Sequence, residues 1–128
     1  MEPVKDGNGN TLVPGDDVSV HRLVSAAGSV NATLISAGNK SLLGVIGYNA
    51  AAAARYIKFY NKATAPDEND TPVLTLPVAA TSRIDIDLSK YNLDFSLGLG
   101  YRMTTAAADN STAALTAADV VGFNVIYK

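Results

Sequence analysis

The chain has 128 residues, a formal net charge of −2, 17% charged residues and no cysteine. That length suits one domain able to bury roughly two-thirds of its unfolded surface, and the missing thiols exclude disulfide frameworks, thiolate metal sites and cysteine nucleophiles. No basic field exists to collect phosphates, which argues against nucleic acid as the main partner, and no run of about 18 apolar residues is present to span a membrane.

Residues 1–16 read as an N-terminal arm or hairpin ahead of a β domain over residues 17–128. The opening Met1-Glu2-Pro3-Val4-Lys5-Asp6 lacks the charged start and apolar centre of a signal peptide. Asp6-Gly7-Asn8-Gly9-Asn10 is hairpin-turn chemistry, because glycine and asparagine accept positive φ. Val4, Leu12 and Val13 are too sparse to form a core and are candidates for contact with a neighbour. Asp6 to Asp17 imitates a calcium loop, but Thr11 stands where the sharp turn needs glycine, and Asp17 where the bidentate glutamate belongs. A plain turn is expected, with no metal and no cofactor.

Residues 17–25 alternate, Val18 and Val20 on one side, His21 and Leu23 on the other, as successive side chains of a strand do. A second strand is expected over 32–36. The stretch 42–48 is apolar on both faces, as for a central strand covered on both sides. Leu43 and Val45 are assigned to its core, and Gly44 and Gly47 mark a bulge or a close backbone approach.

Arg55-Tyr56-Ile57-Lys58-Phe59-Tyr60-Asn61 organises the rest. Five alanines precede it, and alanine favours a helix, but β-branched and aromatic residues suit a pleated surface. As a strand it places Ile57 and Phe59 in the core, frays at Arg55 and Asn61, and turns Tyr56, Lys58 and Tyr60 outward as a candidate partner or subunit interface. An acidic exposed loop follows over 62–71. Leu74, Leu76 and Val78 then align on a strand that Pro77 confines to a sheet edge, since proline removes a ladder donor.

The clearest period of two runs over 83–88, with Ile84, Ile86 and Leu88 inward and Arg83, Asp85 and Asp87 outward. Asp85 and Asp87 are read as a solvated or partner-facing surface rather than a carboxylate pair for glycoside hydrolysis. Extended segments are expected at 93–97 and 99–104, a loop at 105–118, and a closing strand at 119–128 with Val121, Phe123, Val125 and Tyr127 on one face and nothing appended. About eight such strands predict an all-β antiparallel sandwich, jelly-roll-like, with Greek-key connections.

Catalytic signals are absent from this pattern. His21 is the lone histidine, and neither it nor Ser25 sits in a strained nucleophile turn, so no enzyme is expected. The six tyrosines are the most usable surface chemistry, since an apolar body with a polar tip suits interfaces and sugar stacking alike.

The order His21-Arg22-Leu23-Val24-Ser25-Ala26-Ala27, Asn31-Ala32-Thr33, Arg55-Tyr56-Ile57-Lys58-Phe59-Tyr60-Asn61-Lys62-Ala63, Asp70-Thr71-Pro72-Val73 and Val125-Ile126-Tyr127-Lys128 resembles small virion proteins of tailed bacteriophages, of the capsid decoration or cement type. The likeness covers about residues 20–128. It implies a β-sandwich or jelly roll and frequent trimerisation. It also implies binding to the major capsid protein across capsomer junctions on the head exterior, after assembly in the host cytoplasm. It carries over no catalytic residues. The alternative from the same resemblance is a carbohydrate- or receptor-binding sandwich of a tail or fibre, using Tyr56, Tyr60, Asp85 and Asp87.

Overall fold

The computed structural model describes residues 18–128. The arm over residues 1–16, with Val4, Leu12, Val13 and the calcium-like turn, lies outside the described residues. Nine strands follow: β1 (Ser19–Leu23), β2 (Thr33–Ala37), β3 (Lys40–Asn49), β4 (Arg55–Asn61), β5 (Leu74–Val78), β6 (Ser82–Asp87), β7 (Leu93–Phe95), β8 (Gly98–Thr104) and β9 (Val120–Tyr127). A 3-10 turn, Ser89–Tyr91, separates β6 from β7. The first sheet runs β1-β9-β3-β6, with β7 also paired to β3, and the second runs β2-β8-β4-β5. Every strand pairing is antiparallel. The protein is an all-β sandwich, and most connections carry the chain from one sheet to the other.

The core lies between the sheets and follows the period of two. β4 sits inside its sheet, pairing Ile57 with Met103 and Leu76, and Phe59 with Tyr101 and Leu74. Ile57, Phe59, Tyr101 and Met103 are fully buried. The Tyr101 ring spans the two layers, 6.3 Å from the Phe59 centroid and 5.2 Å edge-on from Phe123, a geometry aromatic quadrupoles favour. Val45, Ile84, Leu88, Phe123 and Val125 join this core, and Ile86 packs against it half-buried. Pro77 stands on β5, an edge strand bonded to β4 alone in its sheet.

Two bulges move residues off their expected faces. On β3 the register with β9 slips between Leu42 and Gly44, so Leu43 is the extra residue. Leu42, not Leu43, therefore enters the core, and Leu43 is only half-buried. On β9 the slip falls at Gly122, whose φ of 57° is the left-handed conformation a glycine bulge requires. Past it the alternation reverses: Val120 is buried while Val121, expected beside Phe123, is 42% exposed. A strict period of two cannot survive an inserted residue, and this corrects both core assignments.

β3 is central in its sheet, but one of its faces is open. Ile46 and Tyr48 are 39% and 40% exposed, so the expectation of a strand covered on both sides holds only for the inward side.

Candidate functional site

The second sheet turns Tyr56, Lys58 and Tyr60 of β4 away from the core, opposite Thr104, Arg102 and Gly100 of β8. Alternation alone makes that face a surface, but two loops close over it. Lys58 is 0% exposed, Tyr60 and Arg102 each 1%, and Tyr56 is half-buried. Lys58 and Tyr60 are therefore not open interface residues in this chain. In the loop between β4 and β5, Pro66 lies over Gly100, where an added Cβ would sit 3.1 Å from the proline ring. Glycine leaves room there for that close approach.

The second cover is the 105–118 loop. Leu115 anchors it in the core, but its other side chains are small and have little apolar area to bury, so its backbone carbonyls need donors instead. Lys58 Nζ donates to the carbonyls of Ala106 and Ala108, Arg102 Nη2 donates to Ser111 (2.6 Å), and Thr104 Oγ1 donates to Ala106 (2.6 Å). Arg102 Nη1 also donates to the Tyr60 hydroxyl at 3.2 Å. The long stems of lysine and arginine supply the apolar filling. Burial and the nearby Arg102 charge lower the Lys58 pKa, against a smaller upward pull from Asp109. Burial raises Tyr60. Two cations directly opposite each other on one sheet face repel, and neither forms an ion pair among the described residues.

Arg55, expected to fray, is instead locked. Its Nε donates to Asp119 Oδ2 at 2.9 Å, with both side chains only 8% exposed, and its other nitrogens reach Ala54 and Thr116. This pair ties the start of β4 to the residue before β9. Ser25 is also structural: its buried hydroxyl donates to the Val120 carbonyl at 2.8 Å and accepts from the Val120 amide at 3.0 Å.

His21 faces inward from β1 and shares a 3.0 Å hydrogen bond with the Tyr101 hydroxyl. Burial lowers the His21 pKa below its ordinary 6.5, and burial pushes Tyr101 up to about 12. Below pH 6.5 the unfolded chain takes a proton on His21 that the folded chain resists, so stability falls with pH there. His21→Gln is expected to flatten the change in thermal midpoint between about pH 7.5 and about pH 5.5. An unchanged slope would show that the imidazole does not report folding. Asp70, held down by the Lys62 hydrogen bond, and Asp87, held down by Ser89, act in a separate window around 3.8 and below.

The outer face of the first sheet is the open one. Its cross-strand rows read Val20–Ile126–Gly44–Asp87, then Arg22–Asn124–Ile46–Asp85, then Val121–Tyr48–Arg83. Val20, Ile46, Tyr48 and Val121 are exposed, at 60%, 39%, 40% and 42%. Asp85 is exposed with Arg83 at 3.4 Å, and Asp87 is exposed and accepts from the Ser89 amide and hydroxyl. The expected interface residues are thus divided: Asp85 and Asp87 lie on this open face, Tyr56, Lys58 and Tyr60 on the covered face of the other sheet. A sugar site combining Tyr56, Tyr60, Asp85 and Asp87 has no common surface. Tyr48 is at the surface, as expected of the tyrosines, whereas Ile46 and Val121 are exposed against expectation, and the bulge that exposes Val121 has its one local signal in Gly122.

No group of three or more metal-ligating side chains is gathered among the described residues. The chain matches no protein-family model, no curated protein and no solved structure.

Proposed function

We propose that this chain is a non-enzymatic structural protein of a tailed-bacteriophage particle, a decoration or cement protein that docks on the major capsid protein at the head exterior. The observation that carries the reading is the asymmetry of the two outer faces. One is covered over Lys58, Tyr60 and Arg102 by loops 62–73 and 105–118, while the other leaves Val20, Ile46, Tyr48 and Val121 uncovered inside a charged rim of Arg22, Arg83, Asp85 and Asp87. An apolar centre with a polar rim is the anatomy of a protein-docking surface. The strand orders support the same reading. With β7 counted as an insert, the orders 1-9-3-6 and 2-8-4-5 support reading the sandwich as a jelly roll, an architecture used by viral capsid domains.

A cement protein acts by mass action, and engagement through several symmetric copies multiplies a modest contact area. Trimerisation, implied by the resemblance, fits that logic. Electron microscopy of particles from the phage that encodes the chain is expected to show it in fixed stoichiometry on the head lattice. Density confined to the tail would defeat the head assignment. Ile46→Glu places a charge at the middle of the open face, where Ile46 is already 39% exposed. It is expected to leave the unfolding midpoint nearly unchanged but weaken rebinding to stripped particles by roughly tenfold or more. Full rebinding would remove this face from the interface.

A further inference from the structure

We propose that Arg102 and Lys58 form a carboxylate-binding site beneath the 105–118 loop, one that the loop's own carbonyls occupy in the closed state. This site is separate from the open face on which the proposed docking role rests. Three observations carry it. Lys58 and Arg102 are cross-strand partners pointing the same way, both at least 99% buried, with neutral acceptors as their only described hydrogen-bond partners. Buried charges are ordinarily neutralised by an opposite charge. Second, Arg102 Nε is buried without a hydrogen-bond partner, while the neighbouring Nη2 is taken by the Ser111 carbonyl at 2.6 Å. The Nε–Nη2 edge of a guanidinium is a two-pronged fork matched to two oxygens. A peptide carbonyl supplies one, whereas a carboxylate supplies both, together with a negative charge at the fork, where Asp109 of the loop acts on Lys58 without pairing to it.

Third, the cover is built to lift. The loop is anchored at its base by the Thr105 amide bonded to Ala113, and by Leu115 paired to Gly28 and Ser29. Between these anchors, residues 106–112 are tied to the sheet by donors from Lys58, Arg102 and Thr104. No large apolar side chain in that span must leave the core, and residues 106–110 are exposed. A carboxylate that displaces the Ser111 carbonyl from Nη2 therefore exchanges one acceptor for two without unpacking the sandwich.

The test is nuclear magnetic resonance of the full chain, following the Arg102 Nε–H signal and the amides of residues 106–112 during titration with sodium acetate, with sodium chloride at matched ionic strength as control. The expected result is a saturable shift of the Arg102 Nε–H with acetate and none with chloride. Lys58→Met keeps the guanidinium fork and is expected to weaken acetate severalfold while the Arg102 signal still moves. Arg102→Lys is expected to abolish the saturable amide shifts. Equal shifts with chloride, no movement of the Arg102 signal with acetate, or acetate affinity unchanged in Lys58→Met would each overturn the site.

Discussion

Phe59→Ala is expected to lower stability by about 3–5 kcal/mol, the range for truncating a fully buried large aromatic, and to shift the thermal midpoint by on the order of 10–20 °C. The size follows from position. Phe59 is 0% exposed on β4, an interior strand flanked by Leu74 of β5 and Tyr101 of β8. Its ring lies 6.3 Å from Tyr101, which in turn meets Phe123 of the facing sheet. The deletion therefore opens a cavity at the contact that joins the layers, and a sandwich packed from both sides relaxes little into such a gap. Chemical denaturation of Phe59→Ala beside Ile46→Ala checks this, because the second change removes a half-open side chain. Comparable losses in the two variants would disprove the assignment of Phe59 to the shared core.

Asp119→Ala is expected to cost a similar amount, about 3–5 kcal/mol, for an electrostatic reason. It strips the partner from Arg55 Nε at 2.9 Å and leaves a guanidinium that is 8% exposed without a counter-charge, and breaking a buried pair on one side is far costlier than removing both charges. The double variant Arg55→Met with Asp119→Leu is accordingly expected to recover most of the loss. A denaturant double-mutant cycle measures this directly. Additive losses in the two single variants would mean that the 2.9 Å contact contributes nothing as a pair.

These two sites mark the boundary of what could be read before the structure. Ile57, Phe59, Ile84, Leu88, Phe123 and Val125 announce their inward direction by simple alternation, and Pro77 announces an edge by lacking an amide donor. His21 and Leu23 share one side of β1 as their spacing implies, but that this side faces the core, with His21 on the Tyr101 hydroxyl, is visible only in the structure. Arg55 has the local pattern of a fraying end because its partner, Asp119, is 64 positions away and a local pattern carries no information about so distant a charge. Val121 and Leu43 were misassigned because each adjoins or forms a bulge, and one inserted residue reverses every later side chain on its strand.

The covered face was the larger omission. Alternation states that Tyr56, Lys58 and Tyr60 point away from Phe59, and they do. It cannot state that residues 105–118 return across that face, because an alanine-rich loop has no periodicity to show where it lies. Leu115 fixes its base in the core and on Gly28 and Ser29, and the carbonyls of its outer part find their donors on Lys58, Arg102 and Thr104.

The amino-acid order alone determined an all-β sandwich, its principal inward residues and an edge at Pro77, since those depend on neighbours one or two positions apart. Strand order, the two bulges, the Arg55–Asp119 pair and the choice of which outer face stays open were decided by tertiary structure. Each of those rests on groups far apart in the chain, whose meeting depends on packing and hydrogen-bond satisfaction rather than on spacing.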